Sequence, residues 1–212
     1  MNKTVFQQPA TALTAALFLC LFSAFTAAGR ETLPLAEWRF ALSEAASEPA
    51  ARNFDDSAWA NVTLPHTWNA FDGGTGNTNY FRGTGWYRSH FRLPPSAAKQ
   101  RVLLEFDGAS LNAEVFVNGR FLGRHIGGFA RFRFDATDVV NFSGDNLLAV
   151  RVNNATNDFI PRNGDFTIFG GLYRPARLLL TAPAHIATLD HASPGVFLTT
   201  KNLSTNRAEV NA

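Results

Sequence analysis

In Ala113-Glu114-Val115-Phe116-Val117-Asn118-Gly119-Arg120-Phe121-Leu122, Ala113, Val115 and Val117 recur at every second position, and the run stops at Asn118-Gly119. A repeat of two puts alternate side chains on one face of a pleated strand; a helix would repeat every three to four residues. Asn-Gly supplies two residues that tolerate positive φ, as a two-residue hairpin turn requires. The stretch therefore predicts a strand, a tight turn and a returning strand. The same alternation recurs outward in both directions. Val102, Leu104 and Phe106 share one face of Arg101–Phe106, Phe132 and Phe134 alternate with Arg131 and Arg133, and Leu148, Val150 and Val152 alternate with Ala149 and Arg151. Trp86–Leu93 and Leu172–Thr181 are further strand candidates. Many short strands with such turns, and no long amphipathic helix, predict an all-β sandwich or jelly roll.

Composition agrees with a folded domain. The 212 residues are 46% hydrophobic and 17% charged, enough apolar surface to bury a core. Net charge is +2, with 19 basic residues (only Lys3, Lys99 and Lys201 are lysines) interspersed with 17 acids. No basic stripe runs along the chain, so nucleic acid is not an expected partner. Cys20 is the only cysteine, so no internal disulfide or thiolate metal site is possible.

Cys20 lies in Ala10–Ala28, an uncharged run preceded by Lys3 and followed by Gly29-Arg30-Glu31. A positive start, an apolar stretch and small residues at Thr26 and Ala28 predict a secretory signal peptide over 1–28, cleaved after Ala28. The protein is accordingly expected to be exported, to a periplasmic or extracellular space. Two long loops interrupt the strands: residues 66–85, with Gly, Asn and Thr among aromatics, and residues 153–171. Loops of this length in a compact domain are often functional. Ala182-Pro183-Ala184 looks like a linker. Val196–Leu198 and Arg207–Val210 look like strands of a second, incomplete unit, since two strands cannot bury a core.

Several local features have plain structural readings. Asp55-Asp56-Ser57 predicts a turn rather than a metal cluster, and Asp135 with Thr137 a capped turn. The histidines, His66, His90, His125, His185 and His191, show no zinc-ligand spacing. There is no GxSxG nucleophile elbow and no phosphate-binding GxxxxGK. Trp68 and Tyr80, in the first long loop, are candidate exposed platforms for stacking on a sugar, because aromatic faces pack on apolar ring faces.

Eight short motifs occur in order: Phe54-Asp55-Asp56-Ser57-Ala58-Trp59; Leu64-Pro65-His66-Thr67-Trp68-Asn69; Gly85-Trp86-Tyr87-Arg88; Phe116-Val117-Asn118-Gly119; Gly127-Gly128-Phe129; Phe134-Asp135-Ala136-Thr137; Asn146–Val152; and Asp165–Arg174. In this series the chain, over roughly residues 35–185, resembles the N-terminal domain of glycoside hydrolase family 2, which includes β-galactosidases, β-glucuronidases and β-mannosidases. Asp165-Phe166-Thr167-Ile168-Phe169-Gly170-Gly171 looks most like the β-galactosidase type. The resemblance implies a galactose-binding-domain-like jelly roll over 29–185. It implies that 186–212 begins an immunoglobulin-like sandwich, and that a TIM barrel follows in whole enzymes.

Family chemistry is retaining hydrolysis by two glutamates on that barrel, working about 5–5.5 Å apart. A barrel needs about 250 residues, so no catalytic residue is expected in this chain. Glu105, Glu114 and Glu209 lie in no catalytic motif. The resemblance instead implies two substrate-binding positions, Asp165 and Asn69, reaching the terminal sugar from this domain. No cofactor is expected of the chain itself; a monovalent or divalent cation in the full enzyme is implied, and the carboxylate of Asp165 suits a hard cation. The implied partners are a β-galactoside or related β-glycoside, the C-terminal domains of the enzyme and, in some members, further copies of the chain. The other reading of the same fold is a stand-alone carbohydrate-binding module without catalysis.

Overall fold

The computed structural model describes residues 30–73, 80–155 and 168–211. The leader expected over 1–28, with Cys20, and Asp165 both lie outside the described residues. Twelve strands are present among the described residues: β1 (Glu31–Pro34), β2 (Glu37–Leu42), β3 (Ala60–Thr63), β4 (Thr84–Phe91), β5 (Arg101–Phe106), β6 (Asn112–Val117), β7 (Arg120–Ile126), β8 (Phe132–Asp135), β9 (Asn146–Asn153), β10 (Ala176–Thr181), β11 (Thr199–Leu203) and β12 (Ala208–Asn211).

Ten of them form two antiparallel sheets, ordered β1-β10-β5-β8 and β3-β2-β4-β9-β6-β7. The period-two residues line the space between. Val102, Leu104, Phe106, Val115, Val117, Leu148, Val150 and Val152 are all buried in one cluster with Leu178 and Leu180 of β10 and Trp38 and Tyr87 of the facing sheet. Each such side chain contributes about 1.5–3 kcal/mol by leaving water. The order in which the sheets interleave makes this a jelly-roll sandwich, as the sequence predicts.

The Asn-Gly turn joins β6 to β7 with Asn118 at φ 52° and Gly119 at φ 83°. Asn118 is also a junction. Its amide donates to Val139 O and Asn146 Oδ1, both at 2.8 Å, and its Oδ1 accepts from Leu147 N at 3.0 Å.

Some boundaries differ from the sequence reading. The strand expected over Leu172–Thr181 begins only at Ala176, because Leu172 serves the loop instead, donating its N–H to the Tyr87 hydroxyl and accepting from His66 N at its carbonyl. The strand expected over Val196–Leu198 lies at Thr199–Leu203, and that expected over Arg207–Val210 at Ala208–Asn211; the two pair as a separate hairpin. The short edge strands β1 and β3 show little alternation in sequence.

The family-like acidic motif is a structural device. Asp55 Oδ1 accepts from Ser57 N at 2.9 Å, closing the expected turn. Asp56 receives Arg88 Nε at 2.7 Å. Arg88, 1% exposed, also donates to the carbonyls of Pro49, Ala51 and Phe54. One buried guanidinium on β4 thus holds the whole 49–56 segment onto the outer face of the larger sheet. Asp135 caps its turn through Thr137 N at 2.9 Å.

Candidate functional site

The two long loops meet at one end of the sandwich, and the residue that joins them is Asn69. It is fully buried. Its Nδ2 donates to Phe81 O at 2.9 Å and to Asp72 at 3.1 and 3.3 Å. Its Oδ1 accepts from Gly170 N at 2.8 Å and from Asn154 Nδ2 at 3.2 Å. Both amide donors and both acceptor lone pairs are therefore engaged within the domain. The amide of Asn69, the position the resemblance assigns to the sugar, is turned inward and organises the two loops.

Asn154 is the counterpart from the second loop and is equally buried. Its Oδ1 accepts from Gly83 N at 2.9 Å, and its Nδ2 donates to Ile168 O at 3.1 Å. It thereby ties the two ends of its own loop, residues 154 and 168, and fastens both to the first loop. Asp72 completes the network. Its Oδ2 accepts from Phe81 N at 2.8 Å, and that backbone hydrogen bond, with help from Asn69, holds its carboxyl below the usual range.

The expected stacking platforms are not platforms. Tyr80 is buried, and its hydroxyl oxygen accepts from Ile168 N at 2.9 Å. Trp68 is half-buried and lies nearly parallel to Phe40, with ring centroids 5.9 Å apart. A Cβ on Gly170 would fall 2.0 Å from the Trp68 ring, so only glycine allows this approach. Gly171 needs its φ of +120°, and a Cβ there would meet His66 O and Tyr87 OH at 2.6 Å. The Gly170-Gly171 pair is thus explained by packing. Among the described residues, the exposed aromatics of these loops are instead Phe71, Phe81 and Phe169.

Beneath the loops, the Tyr87 hydroxyl lies 2.8 Å from His66 Nδ1 and accepts from Leu172 N at 3.4 Å. The Tyr87 hydroxyl and His66 Nδ1 thus share one hydrogen bond. Burial holds the imidazole below its ordinary pKa and pushes the Tyr87 phenol far up. Burial thus favours the uncharged form of both groups.

Among the described residues, no three His, Cys, Asp or Glu side chains gather closely enough to hold a metal ion. Asp72 is the carboxylate within this network, and its oxygens already accept from Asn69 and Phe81 N. The described residues do not assemble the cation site that the resemblance implies.

Comparison with known proteins decides the family. Residues 22–183 match the model described as glycosyl hydrolases family 2, sugar binding domain. The chain belongs to glycosyl hydrolase family 2. It is 39% identical over 200 residues to a β-glucuronidase of Bacteroides fragilis, covering 93% of this chain and 28% of that protein. It is 34% identical over 184 residues to a β-galactosidase of Bacteroides ovatus, covering 83% of this chain and 20% of that protein. A crystal structure of a Bacteroides uniformis β-glucuronidase superposes with TM-score 0.80 at 37% identity, covering 86% of this chain and 21% of that one. The chain thus spans less than a third of the length of these relatives.

Asn154 and Asp72 are the site residues that sequence reasoning missed. In the sequence Asn154 stands only as one residue of the second long loop. Its bond to Asn69 joins positions 85 residues apart, and no local spacing carries such information.

Proposed function

We propose that this chain is the sugar-binding N-terminal domain of an exported, retaining β-glycosidase that removes a terminal β-linked glucuronic acid or galactose. The observation that carries this reading is the 39% identity over 200 residues to a β-glucuronidase, within a matched family-2 sugar-binding domain. The β-galactosidase relative keeps the galactoside reading, which the Asp165–Gly171 string favours, beside the glucuronide one.

In this reading hydrolysis belongs to two glutamates on a barrel outside the chain, one protonating the leaving oxygen and the other attacking the anomeric carbon. The domain contributes the edge of the sugar pocket. Asp165 accepts hydrogen bonds from hydroxyls of the terminal sugar, or binds a cation beside it. Asn69, with Asn154, fixes the loops that present these contacts. Such contacts remote from the reacting bond supply binding energy that can be used at the transition state. The hairpin β11–β12 begins the next β-sandwich.

The test is to express the whole enzyme and assay p-nitrophenyl β-glucuronide and β-galactoside side by side. One substrate should be turned over with kcat/KM at least about a hundredfold above the other, the scale set by a site built around one polar group. Asp165→Ala should lower kcat/KM on the preferred substrate by tenfold or more. Saturable sugar binding by the isolated chain, with no hydrolysis by the whole protein, would favour the stand-alone binding module instead.

A further inference from the structure

In the loop network the polar side chains are spent inside the domain: Asn69 and Asn154 bond the loops together, and Tyr80 holds Ile168 N. The outer face of the larger sheet, at the end of β4 away from those loops, is different. A cleft of 610 Å³ opens there, lined by residues of β2, β3 and β4. Small-molecule sites commonly measure about 300–1,000 Å³. His90, at one side of the cleft, lies six residues along β4 from Thr84. At roughly 3.3 Å per residue that places it about 20 Å from the point where the first loop enters the strand.

Strand alternation builds the floor. Trp38, Val62 and Tyr87 belong to the core, so their neighbours Glu37, Arg39, Asn61, Thr63 and Arg88 take the outer face. Register sets them in rows. Thr63 stands opposite Glu37, and Asn61, Arg39 and Arg88 stand side by side. Neighbours in such a grid are about 4.8 Å apart across the strands and roughly 6.7 Å apart along them. Arg88 is spent on Asp56 and the 49–54 carbonyls, and Arg39 is steadied by donating through Nη1 to Trp59 O at 3.2 Å. The rest of the grid is open. Glu37, Asn61 and Thr63 are exposed, and their side chains hold no hydrogen bond or ion pair to another described residue. Glu37 and Arg39 share a face two residues apart without pairing to each other. The carboxylate accepts only, the guanidinium donates only, and the amide and hydroxyl do both. Charge cancels, since Glu37 offsets Arg39 and Asp56 offsets Arg88. An anion would have to sit beside Glu37, and a cation beside Arg39. A neutral molecule with a run of hydroxyls meets these donors and acceptors in turn.

We propose that this cleft is a second carbohydrate site, remote from the loops, which takes an uncharged stretch of a glycan chain. Glu37 accepts from two neighbouring hydroxyls, while Arg39 and Asn61 donate to hydroxyl and ring oxygens of the same unit. β3 is the edge strand of its sheet, so the cleft is open at the side and a longer chain can pass across it. Trp38, the aromatic residue in the lining, is only 2% exposed. No ring face is offered for stacking, hydrogen bonds carry the binding, and Kd is roughly millimolar. On the glycosidase reading above, such a site holds a polymeric substrate at the domain while its end is cleaved elsewhere.

The test is an NMR titration of the full chain with tetrasaccharide fragments of β-galactan, β-xylan and β-mannan, each to about 10 mM, with oligogalacturonate as the charged control. At least one neutral fragment should shift the Asn61 side-chain amide, the Arg39 Nε–H and the His90 ring saturably, while Gly83 and Gly170 stay in place. This mapping needs no variant to fold and no turnover, so it stands or falls apart from the glycosidase reading. Glu37→Gln keeps the shape of an exposed side chain and should weaken binding about tenfold, the scale of a hydrogen bond to a charged group. In the whole enzyme the same variant should leave kcat/KM on a p-nitrophenyl glycoside unchanged. No shift with any neutral fragment, shifts confined to the loops, tighter binding of oligogalacturonate, or full affinity in Glu37→Gln would each overturn the proposal. A loss of p-nitrophenyl glycoside turnover in Glu37→Gln would overturn the remote placement.

Discussion

Replacing Asn69 by alanine tests the central claim about the loops, and its cost can be worked from the bonds it removes. Asp72 keeps Phe81 N, Asn154 keeps Ile168 O, and the Phe81 carbonyl keeps a longer contact to Asn154 at 3.4 Å. Gly170 N–H loses its partner in a buried position. A stranded buried donor costs about 1–3 kcal/mol, and each of the other lost bonds roughly 0.5–1.5 kcal/mol. The variant should therefore lose about 3–5 kcal/mol. At about 2–4 °C per kcal/mol for a chain of this size, Tm should fall by roughly 6–20 °C. Asn69→Asp keeps the shape but places a second carboxylate against Asp72. It should be at least as damaging at pH 7 and recover partly in acid, where one of the pair takes a proton. Calorimetry gives the stability, and amide exchange at Gly170, Phe81 and Gly83 reports the loops. A loss below about 0.5 kcal/mol, within the range of ordinary surface changes, or unchanged exchange at Gly170, would refute the assignment of Asn69 as the junction.

Other outcomes follow from the same structure. Gly170→Ala should cost about 1–3 kcal/mol by overpacking against Trp68 and blue-shift or broaden the tryptophan emission; an unchanged Tm would count against the close approach. Arg88→Met should lose about 3–5 kcal/mol, because Asp56 and three carbonyls are left behind, and limited proteolysis should then cut first within residues 47–57. Neutral buried His66 contributes stability that is complete above its unfolded pKa of about 6.5. That stability is lost as pH falls through 6.5 toward the depressed folded value. His125 acts in the same sense, so the slope of stability against pH should approach two protons, about 2.7 kcal/mol per pH unit at most. His66→Gln should remove about half of it, as followed by urea melts from pH 7.5 to 5.

The frame of this domain was legible in the sequence because its physics is local. Alternation at Val102–Phe106 and Leu148–Val152 names the buried face directly, and Asn118-Gly119 names a turn. The Asp55 and Asp135 turns follow from side chains that bond to backbone two residues away. The ordered motifs then pointed to the family. The site was less legible because the bonds that join its two loops span 71 to 101 residues, as from Asn154 to Gly83 and from Gly170 to Asn69. Trp68 and Tyr80 show the limit. An aromatic in a polar loop looks available for stacking, but Gly85 and Gly170 make room for the indole, and Ile168 N–H gives the phenol a buried partner. Asn69 was singled out in the sequence as a sugar contact, while the direction in which its amide points could only come from the fold.

The pinning of both loops at their bases has an evolutionary consequence. Asp72 with Phe81, and Asn154 with Ile168, fasten the chain on either side of residues 74–79 and 156–167. Insertions, deletions or wholesale exchange within those stretches of sequence need not disturb the pairing of the described strands. A chimera that exchanges those stretches while keeping Asn69, Asp72, Asn154 and Gly170 should therefore retain the fold of the domain.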